Sequence, residues 1–174
     1  MLIHPLRPEN DRTGFSCGEP SLDIFLGRYA LQNQTRHRTG VTYVAEEGGV
    51  VLGYMTLAAA SLRAEELDER SRGRLPRYPL PVLRLARLAV DRRVRGEGIG
   101  SALLAAAFEI APDMSRRVGC AGVVVDARPA AVDYYQRFGF VRLDEGAVSA
   151  GKDPGATLTE AMFLAVGTIE KARE

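Results

Sequence analysis

Residues 81–108, PVLRLARLAVDRRVRGEGIGSALLAAAF, decide how the rest of the chain is read. They divide into three pieces. Residues 82–90 are an apolar run broken only by Arg84 and Arg87, rich in the branched residues of a buried strand. Residues 91–100 are a short connection crowded with arginines and glycines. From Ile99 the apolar residues return at helical spacing, with Ile99, Leu103, Ala106 and Ile110 on one face and Leu104 and Phe108 beside them. Strand, glycine loop and helix start, in that order, make a place where an anion binds.

The reason is physical. Amides in the first turn of a helix have no partner inside the helix, and the helix dipole adds positive potential there. A phosphate accepts those donors when no side chain blocks its approach. Gly96, Gly98 and Gly100 remove the Cβ atoms that would block it. Arg95 adds a forked, charged donor. The run Arg95, Gly96, Glu97, Gly98, Ile99, Gly100 and Ser101 is therefore the expected seat of a pyrophosphate-bearing ligand. The glycines fall as G-x-G-x-G, which is not the dinucleotide fingerprint, and neither Lys152 nor Lys171 is near enough for a nucleotide-triphosphate loop. The alternative is a glycine-rich turn with solvated arginines.

Composition bounds the answer. A chain of 174 residues is long enough for one full domain and short for two. With 46% apolar and 26% charged residues it reads as a soluble globular protein. No 18-residue apolar run exists, and the start MLIHPLRPEN lacks the layout of a signal peptide, so a cytoplasmic protein without membrane association is expected. Cys17 and Cys120 have no metal-ligand spacing and read as reduced and structural, and no metal is expected. The net charge of +1 argues nothing, but residues 63–95 hold ten arginines against five acids. That cluster is either an ordinary solvated surface or an electropositive face for a polyanion.

Outward from the central stretch, residues 1–6 read as a first strand. Ser21 is the expected N-cap of a helix with Leu22, Phe25, Leu26, Tyr29 and Ala30 as its stripe, fraying over 32–38. Residues 41–45 and 50–57 read as a hairpin turned by Gly48 and Gly49, and Gly53 marks a close backbone approach. Residues 64–70 suit a short helix, and 73–81 a proline-rich loop. Pro112 and Asp113 are expected to break the central helix. Residues 122–126 form a strand, Pro129 opens a short helix over 130–137, Gly139 stops it, and 140–143 form another strand. Residues 144–156 are polar and glycine-bearing, and 157–166 close the sheet. Without repeats or linkers, 1–174 reads as a single domain.

The R-x-x-G-x-G run from Arg95 to Gly100 resembles the acyl-coenzyme-A pyrophosphate loop of the GNAT superfamily of N-acetyltransferases. Leu88, Ala89 and Val90 precede it, where that family's central strand is splayed by a bulge and its backbone pairs with the pantetheine arm. Val125, Asp126 and Ala127 end the next strand. Residues 131–140, AVDYYQRFGF, are similar to the family's A-x-x-F-Y-x-x-x-G-F segment, with Tyr134 in place of the usual Phe. A narrower resemblance, to the acetyltransferase toxins of bacterial toxin–antitoxin pairs, runs over almost the whole chain. It is carried by Phe15-x-Cys17-Gly18, Leu22-Asp23-x-Phe25-Leu26, Thr42-Tyr43-Val44, Gly53-Tyr54, the LPRYPLP of 75–81 and the LARLAVD of 85–91.

The resemblance implies a mixed α/β fold: a central, mostly antiparallel twisted sheet of six to seven strands, splayed at the central strand and flanked by helices. It implies acetyl-coenzyme A as cosubstrate, held by Leu88, Ala89, Val90 and residues 95–101, and Tyr135 as general acid beside the coenzyme sulfur. It further implies aminoacyl-tRNA as acceptor, inhibition of translation, a ribbon-helix-helix antitoxin as partner, and a homodimer. No histidine or glutamate stands out as general base, His4 and His37 reading as surface residues. An α-amino group, with a pKa near 8, needs little help to lose its proton. Arg77, Arg92 and Arg93 are expected on the surface, toward RNA phosphate. Arg87 reaches either the acceptor side or a carboxylate such as Asp126. Transfer to a small amine or a protein N-terminus, and a non-catalytic module that binds acetyl-coenzyme A, remain the alternatives.

Overall fold

The computed structural model describes residues 1–73, 75–143 and 158–174. The chain begins with a strand, β1 (Leu2–Pro5). A continuous helical stretch follows over residues 20–37: α1 (Pro20–Ile24), a wide π turn at Phe25–Tyr29, α2 (Ala30–Gln32), and a second π turn at Asn33–His37. Phe25, Leu26 and Ala30 are buried on one side, whereas Tyr29 is exposed. Ser21 does not cap this helix. Glu19 precedes it, Pro20 takes the first helical position, and the Ser21 hydroxyl bonds to the Glu19 carboxylate at 3.2 Å. Nor does the polar run fray. Helical bonding continues until Arg38, whose φ of +55° ends it, and the Thr39 amide closes back on the Asn33 carbonyl at 3.1 Å.

Strand β2 (Val41–Glu47) pairs antiparallel with β1 and turns into β3 (Val50–Leu62). The turn glycines, Gly48 and Gly49, both have positive φ, +58° and +85°, as a two-residue primed turn requires. After a single 3-10 turn at Ala64–Glu66 comes α3 (Glu69–Arg72), capped by Asp68, whose carboxylate accepts the Ser71 amide at 2.6 Å. Strand β4 (Leu80–Val90) is the apolar run read from the sequence, extended by two residues at its start.

Helix α4 (Ile99–Arg117) passes through Pro112 without a break, correcting the expected interruption. Its fully buried positions include Ile99, Leu103, Leu104, Ala107 and Ala111, while Ala106 and Ile110 are half-buried. The stripe thus lies one residue round from the expected face, because small alanines pack where bulk was assumed to go. Strand β5 (Gly122–Ala127) leads through a 3-10 turn at Pro129–Ala131 into α5 (Val132–Arg137), which Gly139 ends at φ +92°. Strands β6 (Val141–Arg142) and β7 (Glu160–Ala165) follow, then α6 (Val166–Lys171). The last helix was not read from the sequence, where residue 166 was assigned to the final strand. Its Val166 and Ile169 are buried, a one-sided apolar pair that helical spacing explains. Residues 144–156 lie outside the described residues.

Among the described residues the seven strands are ordered β1-β2-β3-β4-β5-β7-β6, so β7 inserts between β5 and β6. The pairings β1–β2, β2–β3, β5–β7 and β6–β7 are antiparallel. With its flanking helices this is the mixed, mostly antiparallel α/β architecture expected. The chain packs as two compact units, Met1–Ala58 with Leu85–Ile110, and Ala59–Arg84 with Ala111–Glu174. The first is built on Leu6, Phe15, Phe25, Leu26, Val44 and Tyr54. The second is built on Leu62, Leu67, Leu80, Val82, Leu143 and Phe163. Among the described residues no helix is long and apolar enough to cross a membrane.

Candidate active site

In the first unit, β4 carries Leu88, Ala89 and Val90 into the loop, with Ala89 buried and the other two half-buried. A 3-10 turn at Arg92–Val94 follows, and then Gly96 and Gly98 take φ values of +83° and +82°. A Cβ on either would meet nothing within 4 Å, so glycine is needed there for backbone shape. Gly96, Glu97 and Gly98 are exposed, Gly100 and Ser101 half-buried, and Ile99 is buried, anchoring the first turn of α4. The exposed start of a 19-residue helix, free of intruding side chains, fits a diphosphate. Gly53 on β3 is the close approach expected. A Cβ there would lie 2.8 Å from Ile99 Cγ2 and 3.2 Å from both the Ala89 carbonyl and Leu103 Cδ1.

The loop is braced by a carboxylate. Asp91, only 1% exposed, accepts the Ser16 amide at 3.1 Å and the Arg93 amide, Nε and Nη2 at 2.9 Å each. The Arg93 side chain, ahead of the two amides, holds the Asp91 carboxyl well below the usual carboxylate range despite its burial. The Arg92 amide donates to the Ser16 carbonyl at 2.9 Å, Arg93 Nη2 to the Gly14 carbonyl at 3.3 Å, and the Arg95 guanidinium to the Cys17 carbonyl. From the other side Asp23 of α1 accepts the Cys17 amide at 2.8 Å and the Ser16 hydroxyl at 3.2 Å. Residues 14–17 and 91–95 are thus laced together. Arg93 and Arg95 commit donors to the protein itself, whereas Arg92 stays exposed.

Arg87 is half-buried, with its guanidinium carbon 3.7 Å from the centre of the Phe25 ring. Phe25 stacks on Tyr54 at 6.2 Å, and Phe15 meets Tyr54 edge-on at 5.6 Å. The Tyr54 hydroxyl donates to the Leu22 carbonyl at 2.8 Å, and burial pushes its phenol up. In the second unit the Asp126 carboxylate is taken by Arg84. Arg84 and Arg87 stand three positions apart on one strand, so they leave its opposite faces.

The second unit also holds Tyr135, Tyr134 and the exposed Arg77. Tyr135, 6% exposed, meets the Tyr134 ring edge-on at 5.3 Å and the Phe140 ring at 5.4 Å. Burial pushes its phenol up, so it stays protonated through neutral pH. The Tyr134 hydroxyl is buried and has no hydrogen-bond partner among the described residues. No group of three or more His, Cys, Asp or Glu among the described residues is placed to hold a metal ion.

Sequence reasoning missed Asp91 and Asp23 as the loop's braces. A signal existed for Asp91, the lone acid where an apolar strand runs into arginines. Asp23 stood in the quoted Leu22-Asp23-x-Phe25-Leu26 run, but its pairing with Ser16 and Cys17, seven and six residues earlier, was not read from it.

A family model described as "Acetyltransferase (GNAT) family" matches residues 9–140. A tRNA-acetylating toxin of Mycobacterium tuberculosis, strain H37Rv, is 36% identical over 132 residues, covering 75% of this chain and 78% of that protein. Among solved structures, AtaT complexed with acetyl-methionyl-tRNAfMet matches with a TM-score of 0.83 and 27% identity over 99% of each chain. AtaTR bound with AcCoA matches with a TM-score of 0.78 and 28% identity, over 99% of this chain and 98% of that one.

Proposed function

Because the chain belongs to the acetyltransferase (GNAT) family, we propose that it moves the acetyl group of acetyl-coenzyme A onto the α-amino group of an aminoacyl-tRNA and so halts translation. The observation that carries this reading is the glycine loop. Positive φ at Gly96 and Gly98 gives an exposed, unobstructed start to α4, braced through Asp91, in a chain whose family transfers acetyl groups. Residues 95–101 hold the diphosphate by backbone amides, and Leu88, Ala89 and Val90 offer strand-edge amides and carbonyls to the pantetheine arm.

The amine nitrogen attacks the thioester carbonyl, a C–N bond forms, and the C–S bond breaks. The Tyr135 hydroxyl gives its proton to the departing thiolate. The proton released by the acylated nitrogen restores the phenol through solvent, so atoms and charge balance. A buried tyrosine with a raised pKa suits this step, since it carries its proton at neutral pH. No general base is required, because the α-amino group of an aminoacyl ester is readily neutral near pH 8.

Support for the acceptor comes from the tRNA-acetylating relative and from the likeness to AtaT with acetyl-methionyl-tRNAfMet. Arg77, Arg87, Arg92 and Arg93 are assigned to the acceptor side. The whole chain, 1–174, acts as one catalytic domain in the cytoplasm, as a homodimer, and is neutralised by a ribbon-helix-helix antitoxin. Cell-free translation tests this reading. Added protein stops synthesis only when acetyl-coenzyme A is present, and inhibition without the coenzyme would overturn it.

A further inference from the structure

Both ends of the glycine loop rest on two consecutive residues of β3. At its entry, the Asp91 amide donates to the Leu52 carbonyl at 2.8 Å. Leu52 is the extra residue of a bulge, because Ala45 of β2 pairs with Gly53 and Glu46 with Val51. At the loop's exit, Ile99 lies against Gly53, which is buried. A Cβ at Gly53 would lie 2.8 Å from Ile99 Cγ2, closer than packed carbon atoms come. That methyl group has no easy way aside. It branches directly from Cβ, and in a helix isoleucine keeps one strongly preferred χ1. The Ala89 carbonyl and Leu103 Cδ1 would each lie 3.2 Å away, and both residues are buried, so the new atom has no free side. Only a bare Cα at position 53 lets the start of α4 sit this close to β3.

We propose that Gly53 is a positioning residue for acetyl-coenzyme A, setting where the first turn of α4 stands relative to the diphosphate. The inference rests on the acetyl-transfer reading above, which seats the diphosphate at residues 95–101. The helix's own bonding begins with the Ala102 amide, which donates to the Gly98 carbonyl at 3.0 Å. The amides of Ile99, Gly100 and Ser101 are therefore left for a ligand. Ile99 carries one of those amides and also the methyl group that meets Gly53, so a push on its side chain moves the donors. Hydrogen bonds to a charged group depend on both distance and alignment, and a displaced helix start spoils both. Gly53 touches no ligand atom in this arrangement. It acts through Ile99.

The test compares Gly53→Ala with Gly40→Ala in the full chain, by calorimetric titration of acetyl-coenzyme A and by thermal melting. Gly40 is the matched control, since a Cβ there would lie 2.8 Å from the Leu57 carbonyl, equally crowded but not against the loop. Both variants are expected to melt lower, by roughly 2–10 °C. Only Gly53→Ala should lose affinity, roughly ten- to hundredfold, about what one hydrogen bond to a charged group supplies. Its KM for acetyl-coenzyme A should rise by a similar factor while kcat stays within about threefold. In the Ile99→Ala background the opposing methyl group is gone, and adding Gly53→Ala should change affinity by less than about twofold. That pair also decides the matter if Gly53→Ala alone does not fold. Equal affinity of Gly53→Ala and wild type would overturn the proposal, as would an equal loss in Gly40→Ala. A fall in kcat with coenzyme affinity kept, or a loss of about tenfold on adding Gly53→Ala to Ile99→Ala, would overturn it too. If the wild type binds no acetyl-coenzyme A, the acetyl-transfer reading fails with it. If the wild type binds and transfers acetyl while Gly53→Ala does the same, only the Gly53 assignment fails.

Discussion

Asp91 and Arg93, two residues apart, close a compact ion pair at the end of the central strand: Arg93 Nε reaches one carboxylate oxygen and Nη2 the other, both at 2.9 Å. The backbone amides of Arg93 and Ser16 share the same two oxygens. One side is buried and the other is not, since Asp91 is 1% exposed and the Arg93 side chain 60%. The pair therefore serves less as a surface salt bridge than as the fixed post from which the glycine loop is hung.

Replacing that post should be costly. Asp91→Ala leaves the part-buried amides of Ser16 and Arg93 without their acceptor, and is expected to destabilise the protein by about 1–3 kcal/mol in urea unfolding. Its pH signature follows from sign. The folded carboxyl is held below its ordinary value, so its contribution is full above about pH 4 and is lost as pH falls further. Wild-type stability should drop as pH falls from about 4 toward 2 by more than that of Asp91→Asn. Parallel pH profiles would show that the carboxylate is not what holds the loop.

Gly98→Ala separates shape from bulk. The added methyl group meets nothing within 4 Å, but φ at +82° is unfavourable for alanine, so a loss of about 1 kcal/mol is expected. Acetyl-coenzyme A affinity should fall at least tenfold, because the backbone relaxes away from the diphosphate. Gly48→Ala, at φ +58° in the hairpin turn, should cost similar stability and leave coenzyme binding alone. If both variants bind the coenzyme like wild type, the loop is not its seat.

Tyr135→Phe is expected to leave acetyl-coenzyme A affinity within about twofold and to slow acetyl transfer roughly a hundredfold. Because burial raises this phenol, its deprotonation should leave no alkaline fall in rate through neutral pH. The rate should instead climb with pH as the acceptor amine loses its proton. Wild-type turnover by Tyr135→Phe would remove the residue from the chemistry.

The exposed arginines are tested through salt. Arg77→Ala and Arg92→Ala should each weaken tRNA binding and lower the slope of log affinity against log salt by about one. Arg93→Ala should act differently, losing stability as well, because its guanidinium is tied to Asp91 and Gly14. Unchanged slopes for Arg77→Ala and Arg92→Ala would detach these residues from RNA.

Much of this was legible before folding. The strand, the Gly96–Gly98 loop and the helix start announce themselves because backbone conformation and helix periodicity are local properties. Gly48 with Gly49 marked its hairpin for the same reason. What stayed hidden depends on distant partners. The burial of Asp91 is settled with Ser16, 75 residues earlier, and the partner of Asp126 is Arg84, 42 residues earlier. Helix α4 ran on through Pro112, and α6 formed where only a strand end was read, because tertiary packing outweighs a local breaker signal.

The most direct measurement is transfer of labelled acetyl from acetyl-coenzyme A to bulk charged tRNA, with uncharged tRNA and a polyamine mixture as controls. The account predicts label on charged tRNA, released with the aminoacyl group on mild base treatment, and none on uncharged tRNA. Label confined to the polyamines, or on no acceptor while acetyl-coenzyme A still binds, would contradict it.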